Sequence, residues 1–102
     1  MYHHSRPTPV TIGTTLAASD AIQIDDAVIG EVENPSGSSI TQLTWYTSMD
    51  NTTYCLAADV GTSGVTSLAA GNAMQLPVQL VGAGFVKAIG DNAGKIRVNL
   101  KD

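Results

Sequence analysis

Few side chains in this sequence could do chemistry, and their spacing argues against it. His3 and His4 are the only histidines, adjacent to each other at the start of the chain. Two imidazoles with no third ligand fall short of the set that holds a zinc ion. Carboxylates concentrate at Asp25-Asp26 and at Glu31 and Glu33. General acid-base catalysis needs two carboxyls in different environments across a cleft, or one carboxyl beside a His. Alternation on an exposed strand face accounts for Glu31 and Glu33 without either, and Asp25-Asp26 lacks the spaced acidic loop of a calcium site. Cys55, the sole cysteine, has no His partner on a nearby element and reads as a small buried hydrophobe. Gly82-Ala83-Gly84 starts a dinucleotide fingerprint, but Lys87 stands where the next glycine is needed. Asn51-Thr52-Thr53 fits the glycosylation pattern with no secretory signal ahead of it. The expectation is a protein that is not an enzyme and that holds neither metal nor organic cofactor.

Composition narrows the remaining classes. A chain of 102 residues suffices for one domain and one core. Its net charge of −4 and five basic residues argue against nucleic acid as a partner, which calls for clustered Lys and Arg. Apolar runs are short and broken by Gln and Gly, far below the roughly 20 residues of a spanning helix, so no membrane partner is expected. With a single cysteine the chain can form no internal disulfide, and burial alone must hold the fold.

The elements that position these residues read as strands. Thr, Val, Ile and Gly are abundant, charged residues make up 14 %, and apolar residues never keep a helical period for three turns. Residues 1–9 carry two prolines and no alternation, so they read as an extended arm outside the sheet, with Tyr2, Arg6 and Pro7 as anchors on a neighbour. Residues 10–102 read as the domain. A first, edge-like strand covers residues 10–16, with Gly13 marking a bend. Short strands follow at 21–25 and 27–33, and the second of these turns Val28, Gly30 and Val32 toward the core.

The centre of the pattern is residues 43–56, which hold Trp45, Tyr46, Tyr54 and Cys55. Leu43, Trp45, Thr47 and Met49 fall on one strand face, and Thr44, Tyr46 and Ser48 on the other. Asp50 and Asn51 supply turn chemistry that sends the chain back as a hairpin, in which Trp45 and Tyr54 form an aromatic core pair. Further strands are expected at 65–68, 73–76 and 85–89, with residues 77–80 making a bend or one helical turn. The last strand alternates Ile96, Val98 and Leu100 against Lys95, Arg97 and Asn99. Expected core residues are Trp45, Tyr54, Phe85, Ile96 and Val98; expected interface residues are Tyr2, Arg6, Pro7, Tyr46, Lys95 and Arg97. Four of the five basic residues lie in the last hairpin while acidic residues concentrate early, a pattern suited to attraction between copies.

About eight short strands at intervals of roughly 8 to 12 residues, separated by Gly, Asn, Asp and Ser turns, describe an all-β sandwich or jelly roll. Against that background, Ser48, Asp50 and Tyr54 match an S-x-D-x-x-x-Y turn. Ala73, Leu76, Pro77, Leu80, Gly82, Phe85 and Lys87 match a segment of the form A-x-x-L-P-x-x-L-x-G-x-x-F-x-K. In this order, closed by a last strand, the chain resembles small all-β virion proteins of tailed bacteriophages over about residues 10–101. It departs at Asn51, where the pattern often has Gly. The resemblance implies a capsid decoration or cement protein, assembled in the host cytoplasm and carried on the virion surface. Its implied partners are the major capsid protein and copies of itself. A similar sandwich also serves carbohydrate- or receptor-binding modules, for which Tyr46 is the available stacking residue.

Overall fold

The computed structural model describes residues 5–24, 29–80 and 82–101, with residues 5–7 described as backbone. Nine strands form among them: β1 (Ser5–Ile12), β2 (Ile22–Gln23), β3 (Ile29–Glu33), β4 (Gln42–Ser48), β5 (Cys55–Leu56), β6 (Val65–Ser67), β7 (Ala73–Gln75), β8 (Phe85–Gly90) and β9 (Gly94–Lys101). A single 3-10 turn at Val78–Leu80 is the helical bend expected over residues 77–80. The strands build two antiparallel sheets. The first runs β1-β9-β3-β7 and the second β2-β8-β4-β5, with β6 also paired to β4.

Period-two alternation drives both sheets against each other. Val10, Ile12, Val32, Ile96 and Val98 from the first sheet meet Ile22, Leu43, Trp45, Val86 and Ala88 from the second in one buried cluster. Leu68, Leu76 and Leu80, from the connecting segments, complete that cluster. The chain changes sheets after β1 at Gly13, which lies against β8 in a parallel bridge to Ile89. A side chain there has no room, because a Cβ on Gly13 would sit 2.4 Å from that of Ala18.

Two polar side chains tie the ends of the sandwich. Asn34 is fully buried, and its Nδ2 donates to the carbonyls of Ile40 (2.8 Å) and Leu68 (2.7 Å), holding the β3–β4 connection against the segment after β6. Asp91 accepts the backbone N–H groups of Thr41 (2.8 Å) and Gln42 (3.1 Å) and the Thr41 hydroxyl, which fixes the β8–β9 turn to the start of β4. That donor set, led by the Thr41 hydroxyl, lowers the Asp91 carboxyl from 3.8 to about 2.

The expected arm requires correction. β1 starts at Ser5, and residues 5–9 pair in register with β9, from Ser5 opposite Lys101 to Pro9 opposite Arg97. The physical reason is parity. Thr11 turns its backbone away from β9, donating to the Asp20 carboxylate and accepting from the Asp20 N–H. Pro7 and Pro9 share that outward parity, so neither removes a donor from the ladder, and on an edge strand both are compatible with pairing. Tyr2, His3, His4, Asp25 and Asp26 lie outside the described residues.

The aromatic hairpin is also different. Trp45 and Tyr54 do not pair: Tyr46 stands opposite Leu56 and Thr47 opposite Cys55, and Ala57 bonds Trp45 across the strands. Trp45 is fully buried, as are Ile96 and Val98, whereas Tyr54 and Phe85 are only half-buried and lie outside the buried core. Met49, expected on the Trp45 face, is 95 % exposed, because the chain leaves the strand at Ser48. Cys55, expected as a buried hydrophobe, is exposed on the two-residue strand β5.

Candidate functional site

With Trp45 inside, the other described aromatic side chains gather on the outward face of the second sheet. β8 alternates Phe85, Lys87 and Ile89 outward against buried Val86, Ala88 and Gly90. β4 sets Thr44 and Tyr46 outward against buried Leu43 and Trp45. Cross-strand register then makes rows: Tyr46 lies between Lys87 and Leu56, and Thr44 between Ile89 and Val65. Phe85, beside Gln23, extends the face toward β2. Leu56 is 43 % exposed, a large share for a leucine within a paired strand. Aromatic and aliphatic groups around one cation give a flat, mostly apolar surface of the composition found at interface cores.

The segment from Met49 to Tyr54 borders this face, and its local chemistry explains its shape. Ser48 Oγ accepts the N–H of Asn51 (2.9 Å) and donates to Asp50 Oδ1 (3.0 Å). Asp50 Oδ1 also accepts the N–H groups of Thr52 (2.9 Å) and Thr53 (3.0 Å). These bonds hold the Asp50 carboxyl below its ordinary value, with the Thr53 N–H as the largest cause. Asn51 takes the left-handed φ of 62° that Asn tolerates and accepts the Tyr54 hydroxyl on its side chain. The Tyr54 ring thereby stands beside the sheet, with Lys87 Nζ 5.2 Å from its centroid. Lys87 also donates to the Leu16 carbonyl at 2.9 Å, so its charge is held in place. Partial burial and then the Asp50 carboxylate raise the Tyr54 phenol above its ordinary value.

The expected interface residues divide between two faces. Tyr46 lies at the centre of this one. Lys95 and Arg97 are exposed on the opposite side of the molecule, on β9, where Arg97 pairs with Glu33 at 3.4 Å. Arg6 and Pro7 belong to the backbone of β1, across from Leu100 and Asn99. Sequence reasoning missed the grouping of Tyr46, Tyr54, Phe85 and Lys87. The available signal was the alternation of Phe85, Lys87 and Ile89 against Val86 and Ala88, which places Phe85 and Lys87 together outside. Among the described residues no three His, Cys, Asp or Glu side chains cluster. Comparison with known proteins finds no matching family, no matching curated protein and no matching solved structure.

Proposed function

We propose that the chain is a non-enzymatic structural protein of a bacteriophage particle, a decoration or cement protein that docks on the outer capsid surface. The observation that supports this reading best is the strand order. Numbering strands along the chain and setting aside β6, which also pairs β4, the order β1-β9-β3-β7 against β2-β8-β4-β5 is compatible with the two Greek keys of a jelly roll, an architecture used by viral capsid and lectin domains, and so supports the reading. The sequence order that resembles small phage virion proteins points the same way. The outward face of the second sheet supplies the docking surface, with Tyr46 at its centre and Phe85, Leu56 and Ile89 around it. Burying such aromatics against a partner surface carries a large share of binding energy at protein interfaces.

A second reading, a carbohydrate- or receptor-binding module of a phage tail or fibre, is favoured by one observation. Tyr46 is half-exposed on a flat face next to Lys87, an arrangement suited to stacking on a sugar ring. Cosedimentation separates the two. The protein should pellet with capsids of the particle it is proposed to decorate, and Tyr46→Ala should weaken that binding tenfold or more, about 1.4 kcal/mol, without unfolding the protein. Failure to pellet with capsids, together with saturable binding on a glycan array, would replace the first reading by the second.

A further inference from the structure

We infer that two copies of this chain pair through the outward face of the first sheet, as a two-fold dimer held by charge. This goes beyond the function proposed above and does not depend on it. β9 presents Lys95, Arg97 and Lys101 outward while Ile96 and Val98 are buried. β3, its neighbour, presents Glu31 and Glu33 outward while Gly30 and Val32 are buried. Their register sets Glu33 beside Arg97, Glu31 beside Asn99 and Ile29 beside Lys101. The cations of this face therefore form one column and its carboxylates the next, roughly 4.8 Å away. Among the described residues Arg97 and Glu33 form the face's ion pair, and Glu31, Lys95 and Lys101 have none.

Such a pair of columns is complementary to itself under one symmetry. A two-fold axis lying in the face, along the strands and between β9 and β3, carries the β9 column of each copy over the β3 column of the other. Arg97 then faces Glu33 of the second copy, and Glu31 lies between the approaching Arg97 and Lys101. An axis across the strands would instead stack cations on cations. Sheets packed face to face stand roughly 10 Å apart, a gap that Lys, Arg and Glu side chains bridge from both sides. In the row of Arg97 and Glu33 the flanking outward residues, Pro9 on β1 and Ala73 on β7, are short enough to permit that approach, and Thr11 and Gln75 flank the neighbouring rows at the rim. Charge also selects this face. It carries one net positive charge in a chain of net charge −4, so two copies repel each other less here than over the rest of their surface. With β1 and β9 eight residues long, β3 five and β7 three, the face is a patch on the order of 400 Å² per copy, below the size of standard specific interfaces, so the dimer is weak, reversible and salt-sensitive.

Sedimentation equilibrium of the full chain, from about 10 to 500 μM protein, reads this directly. A dimer should form in about 20 mM NaCl and dissociate at least tenfold more readily in about 500 mM NaCl. Two variants reverse one column each: Lys95→Glu with Arg97→Glu, and Glu31→Lys with Glu33→Lys. Each should be monomeric alone, and an equal mixture of the two should form a heterodimer, because the first face then carries four carboxylates against Lys101 alone and the second carries only cations. A chain that stays monomeric at every concentration in low salt overturns the proposal, as does a dimer indifferent to salt and to both variants. A mixture that fails to associate while circular dichroism shows both variants folded overturns it too. Should a variant not fold, the salt dependence of the unaltered chain decides.

Discussion

Replacing Trp45 by Ala tests whether the sandwich is organised around this one side chain. Trp45 is closed to solvent: its relative exposure is 0 %, its Nε1 donates to Thr66 Oγ1 at 2.9 Å, and on the edge of β4 away from β8 its backbone N–H donates to Gly64 while its carbonyl accepts from Ala57. A buried indole removes about 150 to 250 Å² from water, worth about 4 to 6 kcal/mol at about 25 cal/mol per Å². Alanine keeps about one methyl of that, and the rigid sheet neighbours Leu43 and Ala88 cannot close over the hole, so the loss should be about 3 to 5 kcal/mol. Trp45→Phe separates packing from hydrogen bonding. It retains most of the ring but leaves the half-buried Thr66 hydroxyl without its donor, and should cost clearly less than Ala. Urea denaturation followed by circular dichroism measures both. A cost below about 1 kcal/mol for Trp45→Ala, or a larger cost for Phe than for Ala, would refute the assignment of Trp45 to the centre of the core.

Removing residues 1–8 should destabilise the domain, since it strips half of β1 from its ladder with β9; an unchanged unfolding midpoint would place the stabilising part of β1 entirely in Pro9–Ile12. Asn34→Ala should cost about 2 to 4 kcal/mol, because it leaves two buried carbonyls, those of Ile40 and Leu68, without a donor; the same urea titration reads it. Asp91 has its folded pKa lowered to about 2 from 3.8, so its contribution is present above the unfolded value and is lost as pH falls through the folded one. Urea midpoints between pH 5 and pH 2 should therefore fall with acid, and Asp91→Asn should flatten that fall.

Much of the fold is legible in local sequence pattern. Strict alternation in Lys95–Leu100 and in residues 28–33 fixes which side chains of β9 and β3 face the core, because a strand offers only two faces and water accepts the charged one. The same alternation identifies Trp45 as buried, and breaker residues locate the turns around Asp50, Asn72 and Asp91. Tertiary structure decided what alternation leaves open. Whether Pro7 and Pro9 exclude a strand depends on which way their missing N–H would point, and that parity is set by pairing with β9, some 90 positions away along the chain. Where Met49 and Tyr54 go depends on the hydrogen bonds of Ser48 and Asp50, which end β4 before Met49 and bring Tyr54 to the outer face. Cys55 is exposed because β5 is a two-residue edge strand with no layer beyond it. The columns of Glu31 and Glu33 beside Lys95, Arg97 and Lys101 arise from strands more than 60 residues apart. Composition records both charges, but only long-range strand pairing sets them side by side.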